Sequence, residues 1–181
     1  MSINSITSWA KNHFIVHYLM KKERKLHNMR TNSDKEINNL DGEYLTEQKI
    51  DNFELCDILG YGEGMNGSLF VFSGIVRKDE TEGGVVREII YETYREMAEK
   101  EIDKIKKVAM RKFGLKEIHI KHRIGNVAAG EASLVVAVLT PHRKEGIKAI
   151  DFVIDEIKKR VPIWKKEIFE DGSYRWVEGS V

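Results

Sequence analysis

Residues 141–167, PHRKEGIKAIDFVIDEIKKRVPIWKKE, constrain the fold of this chain more than any other stretch. Ile147, Ile150, Val153, Ile154 and Ile157 recur at helical spacing, which predicts an amphipathic helix with one apolar stripe on a core and its charges on the far face and the ends. Pro162 stops that helix, because proline has no N–H to donate and restricts the residue before it. His142 and Arg143 open the segment, Lys158, Lys159 and Arg160 close it, and Lys165 and Lys166 follow the stop. Lys158 and Lys165, seven positions apart across the proline, are placed to turn toward one cleft, where two ammonium groups make an anion site or an acid/base pair. Taken alone, the segment favours a plainer reading: lysines at a helix C-terminus complement the helix dipole and need no function.

The rest of the chain sets limits on what such a helix can serve. At 181 residues, 41% hydrophobic and 33% charged, there is sequence for one domain with a sizeable core. Thirty basic against 29 acidic residues leave a charge of +1, with lysines interleaved among glutamates, so a general nucleic-acid binder is not expected and any anion site is local. The single cysteine, Cys56, excludes an internal disulfide and fits a reducing compartment. Six histidines are scattered, and the one close pair, His119 and His122, would face opposite sides of a strand, so neither metal nor organic cofactor is expected. The apolar run near the amino end is interrupted by Lys11, Asn12, His13 and His17 and falls short of the roughly 20 residues that span a bilayer. Its basic residues follow the apolar part, the reverse of a secretory signal. The expected location is the cytoplasm, without membrane contact.

Residues 1–48 hold one short helix around Trp9 to Lys25 and a polar stretch, TNSDKEINNLDGE, and read as a poorly ordered extension; Met20 and Met29 within it are alternative starts. The domain is expected over 49–181. Gly60, Gly62, Gly64 and Gly67 form a flexible connection without the spacing of a phosphate or dinucleotide loop. Strands are predicted at SLFVFSGIVRKDE, VVREIIYET, KEIHIKHRIG and ASLVVAVLTP, with His122 pointing inward beside Ile118 and Ile120. A helix from Glu92 to Phe113 carries Met97, Ala98, Ile102, Ile105, Val108 and Ala109 as its apolar face and stops at Gly114. A hairpin about Asp171 and Gly172 closes the chain, with Phe169, Tyr174 and Trp176 as packing residues. The order predicts an α+β fold, a mostly antiparallel sheet with two helices on one side.

Five strings in fixed order, FSGIVR at 72–77, HRIG at 122–125, PHR at 141–143, KKRVPIWKKE at 158–167 and RWVEG at 175–179, resemble the large, catalytic subunit of molybdopterin synthase over about residues 50–181. The resemblance implies an α/β-hammerhead fold with an added small antiparallel β subdomain. It implies a homodimer of large subunits with a small ubiquitin-like sulfur-carrier subunit at each outer end, a heterotetramer. The implied activity is that of a sulfurtransferase: sulfur passes from the carrier's C-terminal thiocarboxylate, after Gly-Gly, to cyclic pyranopterin monophosphate and forms the molybdopterin dithiolene. Carried over by matching positions, Lys158 is the central catalytic residue and Lys165 its partner, while Arg77, His142 and Arg143 bind substrate. These residue types suit the chemistry, since a phosphate and a thiocarboxylate both require held positive charge. Lys159, Arg160 and Lys166 read as surface or steering charges, His122 and Trp164 as packing residues. The rival reading is a carrier-binding module of the same fold without turnover, and a general phosphate-binding enzyme stands third.

Overall fold

The computed structural model describes residues 43–50 and 64–177, which lie in one unit, Gly42–Val181. In chain order the elements are β1 (Leu45–Thr46), β2 (Ser68–Ile75), β3 (Glu80–Thr81), β4 (Gly84–Thr93), α1 (Arg95–Phe113), β5 (Glu117–Arg123), β6 (Gly125–Ala128), β7 (Ala132–Thr140), α2 (Arg143–Arg160), β8 (Ile163–Phe169) and β9 (Tyr174–Trp176). The short amino-terminal helix, Cys56 and Gly60 to Gly62 lie outside the described residues.

The strands form two sheets where the sequence pattern suggested one. The first runs β1-β5-β7-β2, antiparallel except for the parallel pairing of β1 with β5. The second runs β3-β4-β8-β9 with β6 also on β4, and is antiparallel throughout. Alternation within each strand is local and carries no information about which strands share a sheet, so the error is one of long-range pairing. β6 also went unrecognised: Gly125 turns the chain at φ 72, and four residues are too few to display a period.

Both helices pack on each other and on the first sheet, α1 against β5 and α2 against β7 and β2. In α1 the buried positions are Ala98, Ile102, Ile105 and Ala109, and Gly114 adopts the left-handed conformation, φ 61, that ends it. Met97 is exposed, and β4 runs to Thr93, so the helix starts at Arg95 rather than Glu92. In α2 the buried stripe is Gly146, Ala149, Val153 and Ile157, with Ile150 and Ile154 packed beside it. Ile147, expected on that stripe, is 56% exposed. Small residues let α2 approach Phe70 and Thr140 closely, which turns Ile147 to solvent. Val161 takes extended backbone before Pro162 and sends the chain into β8.

Tyr44 and Leu45, read from sequence as part of the extension, are core residues at 4% and 1% exposure. The Glu99 carboxylate of α1 accepts from the Tyr44 and Leu45 N–H groups at 2.7 and 3.0 Å, and the Leu45 carbonyl accepts from Arg95. The folded unit therefore begins before residue 49.

Candidate functional site

Between the two sheets and the C-terminal end of α2 lies a cavity of about 350 Å³. β2 and the turn after it contribute Phe72, Gly74 and Arg77, α2 contributes Lys158, β8 contributes Lys165 and Glu167, and β4, β5 and β7 contribute Tyr91, His122 and Ser133. Strand parity explains the β8 set: Ile163, Lys165, Glu167 and Phe169 share the inner face, while Trp164, Lys166 and Ile168 point away. Trp164 is 52% exposed and neither packs in the core nor lines the cavity. Tyr174 and Trp176 are also exposed, with the Lys166 ammonium 4.2 and 5.5 Å from their ring centres; of the hairpin aromatics only Phe169 is buried.

The cavity is graded from a charged mouth to a neutral floor. Arg77, at the mouth, donates to the Asp79 carboxylate at 2.7 Å, an exposed pair that a competing anion can open at little cost. Lys158 is exposed and Lys165 half-buried. Burial and the adjacent Lys158 charge hold the Lys165 ammonium below the usual lysine range, with Glu167 pulling the other way. Glu167 is held in turn by Arg175, 2.7 Å away on β9. On the floor Tyr91, His122 and Ser133 are 5%, 6% and 8% exposed. Burial raises the Tyr91 phenol, with a Ser133 hydrogen bond opposing. The His122 imidazole is held down to about 4, first by burial and further by the Lys165 charge, against the bond to the Arg123 carbonyl.

Of the five site residues expected from sequence, Arg77, Lys158 and Lys165 meet at this cavity. His142 and Arg143 do not: they border a separate shallow depression with Gly67, Pro141 and Glu145 at the other end of α2. Arg143 and Lys158 are fifteen positions apart, about 22 Å along a helix axis. His142 makes no side-chain cap on α2, and Gly67 is where it is because a side chain there would strike the Pro141 carbonyl. Lys159 is exposed, and Arg160 ties α2 to α1 through Glu101 while also pairing with Glu156 one turn back on α2. Sequence reasoning missed Tyr91, His122, Ser133 and Glu167 as cavity residues. The parity of Lys165 and Glu167 on β8 was a usable signal for Glu167; the other three required knowledge of which sheets face each other.

Arg77, Lys158 and Lys165 around a neutral polar floor give this α+β domain a cavity that can hold an anion. The sequence model of the MoaE protein family matches residues 45–160. Molybdopterin synthase catalytic subunits from Pyrococcus abyssi and Thermoplasma volcanium are 42% and 36% identical over 113 and 132 residues, which are 62% and 73% of this chain and 75% and 94% of theirs. The crystal structure of molybdopterin synthase from Staphylococcus aureus superposes with a TM-score of 0.68 at 31% identity, covering 75% of this chain and 96% of that one. A Helicobacter pylori structure, a complex of subunits 1 and 2 of molybdopterin-converting factor, shares the fold at a TM-score of 0.62 and 20% identity, covering 74% and 88%. The chain belongs to the MoaE family. With the family comes the activity, sulfur transfer in molybdenum cofactor biosynthesis by the catalytic subunit of molybdopterin synthase.

Proposed function

We propose that the cavity receives the C-terminal tail of a small ubiquitin-like carrier ending in Gly-Gly and passes its thiocarboxylate sulfur to cyclic pyranopterin monophosphate. One observation carries this reading: two lysines from different elements converge on one cavity, and the half-buried one holds its proton less tightly than a free lysine. Such a pair stabilises the negative charge of the arriving thiocarboxylate, and the lowered proton affinity of Lys165 makes it the readier proton donor of the two. Lys158 is the central catalytic residue and Lys165 its partner; Arg77 at the mouth exchanges Asp79 for a substrate anion. Each sulfur joins the substrate as a C–O bond at the same carbon breaks, its oxygen departing on the phosphate or as water, and a second water then cleaves the acyl–sulfur link so that the carrier leaves as a carboxylate. The alternative, a carrier-binding module without turnover, has no need for a lysine of lowered proton affinity.

His142 and Arg143 bind substrate in this reading, although their own cavity lies at the far end of α2. A homodimer reconciles the two facts if each site takes Lys158 and Lys165 from one subunit and His142 and Arg143 from the other. One carrier per large subunit completes a heterotetramer; the Helicobacter relative is a complex of two different subunits, which supports the partnership but not its stoichiometry. We assign the finer fold description, an α/β-hammerhead with a small antiparallel subdomain, on the likeness to the Staphylococcus structure and the separate second sheet. The lone cysteine suits the cytoplasm, and among the described residues no helix is long and apolar enough to cross a membrane.

Reconstitution with thiocarboxylated carrier and pyranopterin substrate, read as dithiolene formation, tests the assignment. Lys158→Ala should abolish transfer while carrier binding persists, and Lys165→Ala should be strongly impaired. Mixing Lys158→Ala with Arg143→Ala subunits should restore activity that neither variant has alone, since one site in each mixed dimer is intact. Turnover by a folded Lys158→Ala protein would remove that lysine from the mechanism, and failure of the mixture would remove the shared site.

A further inference from the structure

His122 carries a well-defined tautomer into the cavity. Its Nδ1 lies 2.8 Å from the Arg123 carbonyl, which can only accept, so Nδ1 bears the hydrogen and Nε2 keeps a lone pair. Nε2 has no hydrogen-bond partner among the described residues, and it is not sealed from the cavity that the ring helps to line. The ring is fixed on several sides. β5 lies between β1 and β7, with His122 opposite Leu45 and Leu134, and the His122 backbone N–H donates to the Tyr44 carbonyl at 2.8 Å, which holds the strand that carries the ring. Tyr91 meets it edge-on, with ring centres 5.2 Å apart at 74°. Tyr91 is in turn the residue directly opposite Lys165 across β4 and β8. Through Tyr91 the two sheets therefore place a rigid lone pair and a half-buried amine on the lining of one cavity, with no hydrogen bond between them before substrate arrives.

We propose, resting on the sulfur-transfer reading above, that His122 is a positioning residue whose Nε2 accepts a hydrogen from Lys165 and turns the remaining face of that amine toward the reacting thiocarboxylate. A carboxylate at this place would pin Lys165 as a permanent ammonium, and an aliphatic side chain would leave its long stem free to rotate. A neutral imidazole orients the amine without supplying a counter-charge.

His122→Asn isolates this role, because the Asn amide N–H can still reach the Arg123 carbonyl while the Nε2 acceptor is gone. His122→Gln returns an acceptor near the lost position. In the reconstituted complex the Asn variant should lose sulfur transfer by roughly tenfold or more, the size expected for losing a hydrogen bond to an ionisable group, and Gln should recover part of it. A second readout is independent of turnover: trace acylation of Lys165 at pH 8, measured by mass spectrometry against the exposed Lys148 of the same chain. Loss of the acceptor destabilises the ammonium, so Lys165 should acylate faster in the Asn variant even as transfer slows and return toward the wild-type rate in the Gln variant, whereas a packing defect that merely exposes Lys165 would speed acylation in both. Unchanged transfer, unchanged acylation, or equal impairment of the Asn and Gln variants would overturn the proposal. Should the Asn chain not fold, the imidazole nitrogen NMR shift of His122 in wild type against Lys165→Met decides the point, and identical Nε2 shifts would refute the contact. Absence of any sulfur transfer in the wild-type complex would sink the functional reading instead, and the acylation and NMR comparisons would still judge the His122–Lys165 contact.

Discussion

Acidification between pH 8 and pH 5 should weaken this fold through one buried imidazole, and the size of the effect follows from where His122 sits. Its folded value is about 4 against 6.5 for the free side chain, chiefly because burial penalises the charged ring. Across that window the unfolded chain binds a proton here and the folded chain does not, so stability falls as the pH falls. At pH 5 the unfolded imidazole is nearly all protonated and the folded one nearly all neutral, a loss of about 2 kcal/mol relative to pH 8 that grows to about 3 kcal/mol below the folded value. The measurement is urea unfolding at pH 8 and pH 5, at one protein concentration, for wild type and for His122→Asn. The Asn variant cannot titrate, so its loss between the two pH values should be smaller by about 2 kcal/mol, and the difference cancels every other group. Equal losses in the two proteins, or an imidazole resonance of His122 titrating near its free value, would refute the account of a buried neutral ring.

The Gly146 position tests how closely α2 lies on the first sheet: a Cβ there would stand 2.5 Å from the Phe70 ring and 2.8 Å from the Thr140 methyl. Overpacking should therefore outweigh the better helix propensity of alanine and leave Gly146→Ala less stable by about 1–2 kcal/mol in urea unfolding; a neutral or stabilising result would show that Phe70 yields freely. Glu131 is held down to about 2 by Lys49 and then by the nearly buried Arg123, so its contribution is present above about 4.5 and is lost as the pH falls through about 2. Glu131→Gln should flatten the circular-dichroism acid transition in that range and lower stability at neutral pH, where Arg123 loses its partner. For the domain boundary, a chain beginning at Asn39 should melt and turn over like the full chain, whereas one beginning at Ile50 loses Tyr44 and Leu45 from the core and should melt lower by calorimetry; equal melting of the two would return residues 39–49 to the extension.

The local pattern of the chain was enough to specify much of its secondary structure. The stop of α1 at Gly114 and of α2 before Pro162, the inward parity of Ile118, Ile120 and His122, and the hairpin at Asp171–Gly172 all depend on neighbours within a few residues, and all stand in the structure. The short strings shared with the MoaE family were likewise legible, because a family is recognised by residue order. Tertiary structure decided what depends on distant pairing. An inward histidine is a packing residue when its sheet faces only helices and a cavity residue when a second sheet leaves a gap opposite, and nothing within β5 distinguishes the two cases. The same holds for the expected site residues: Lys158 and Lys165 meet because the chain reverses at Pro162. Arg143, on the same helix as Lys158, is kept away by the rigid length of α2, a separation that strings of matching residues do not record.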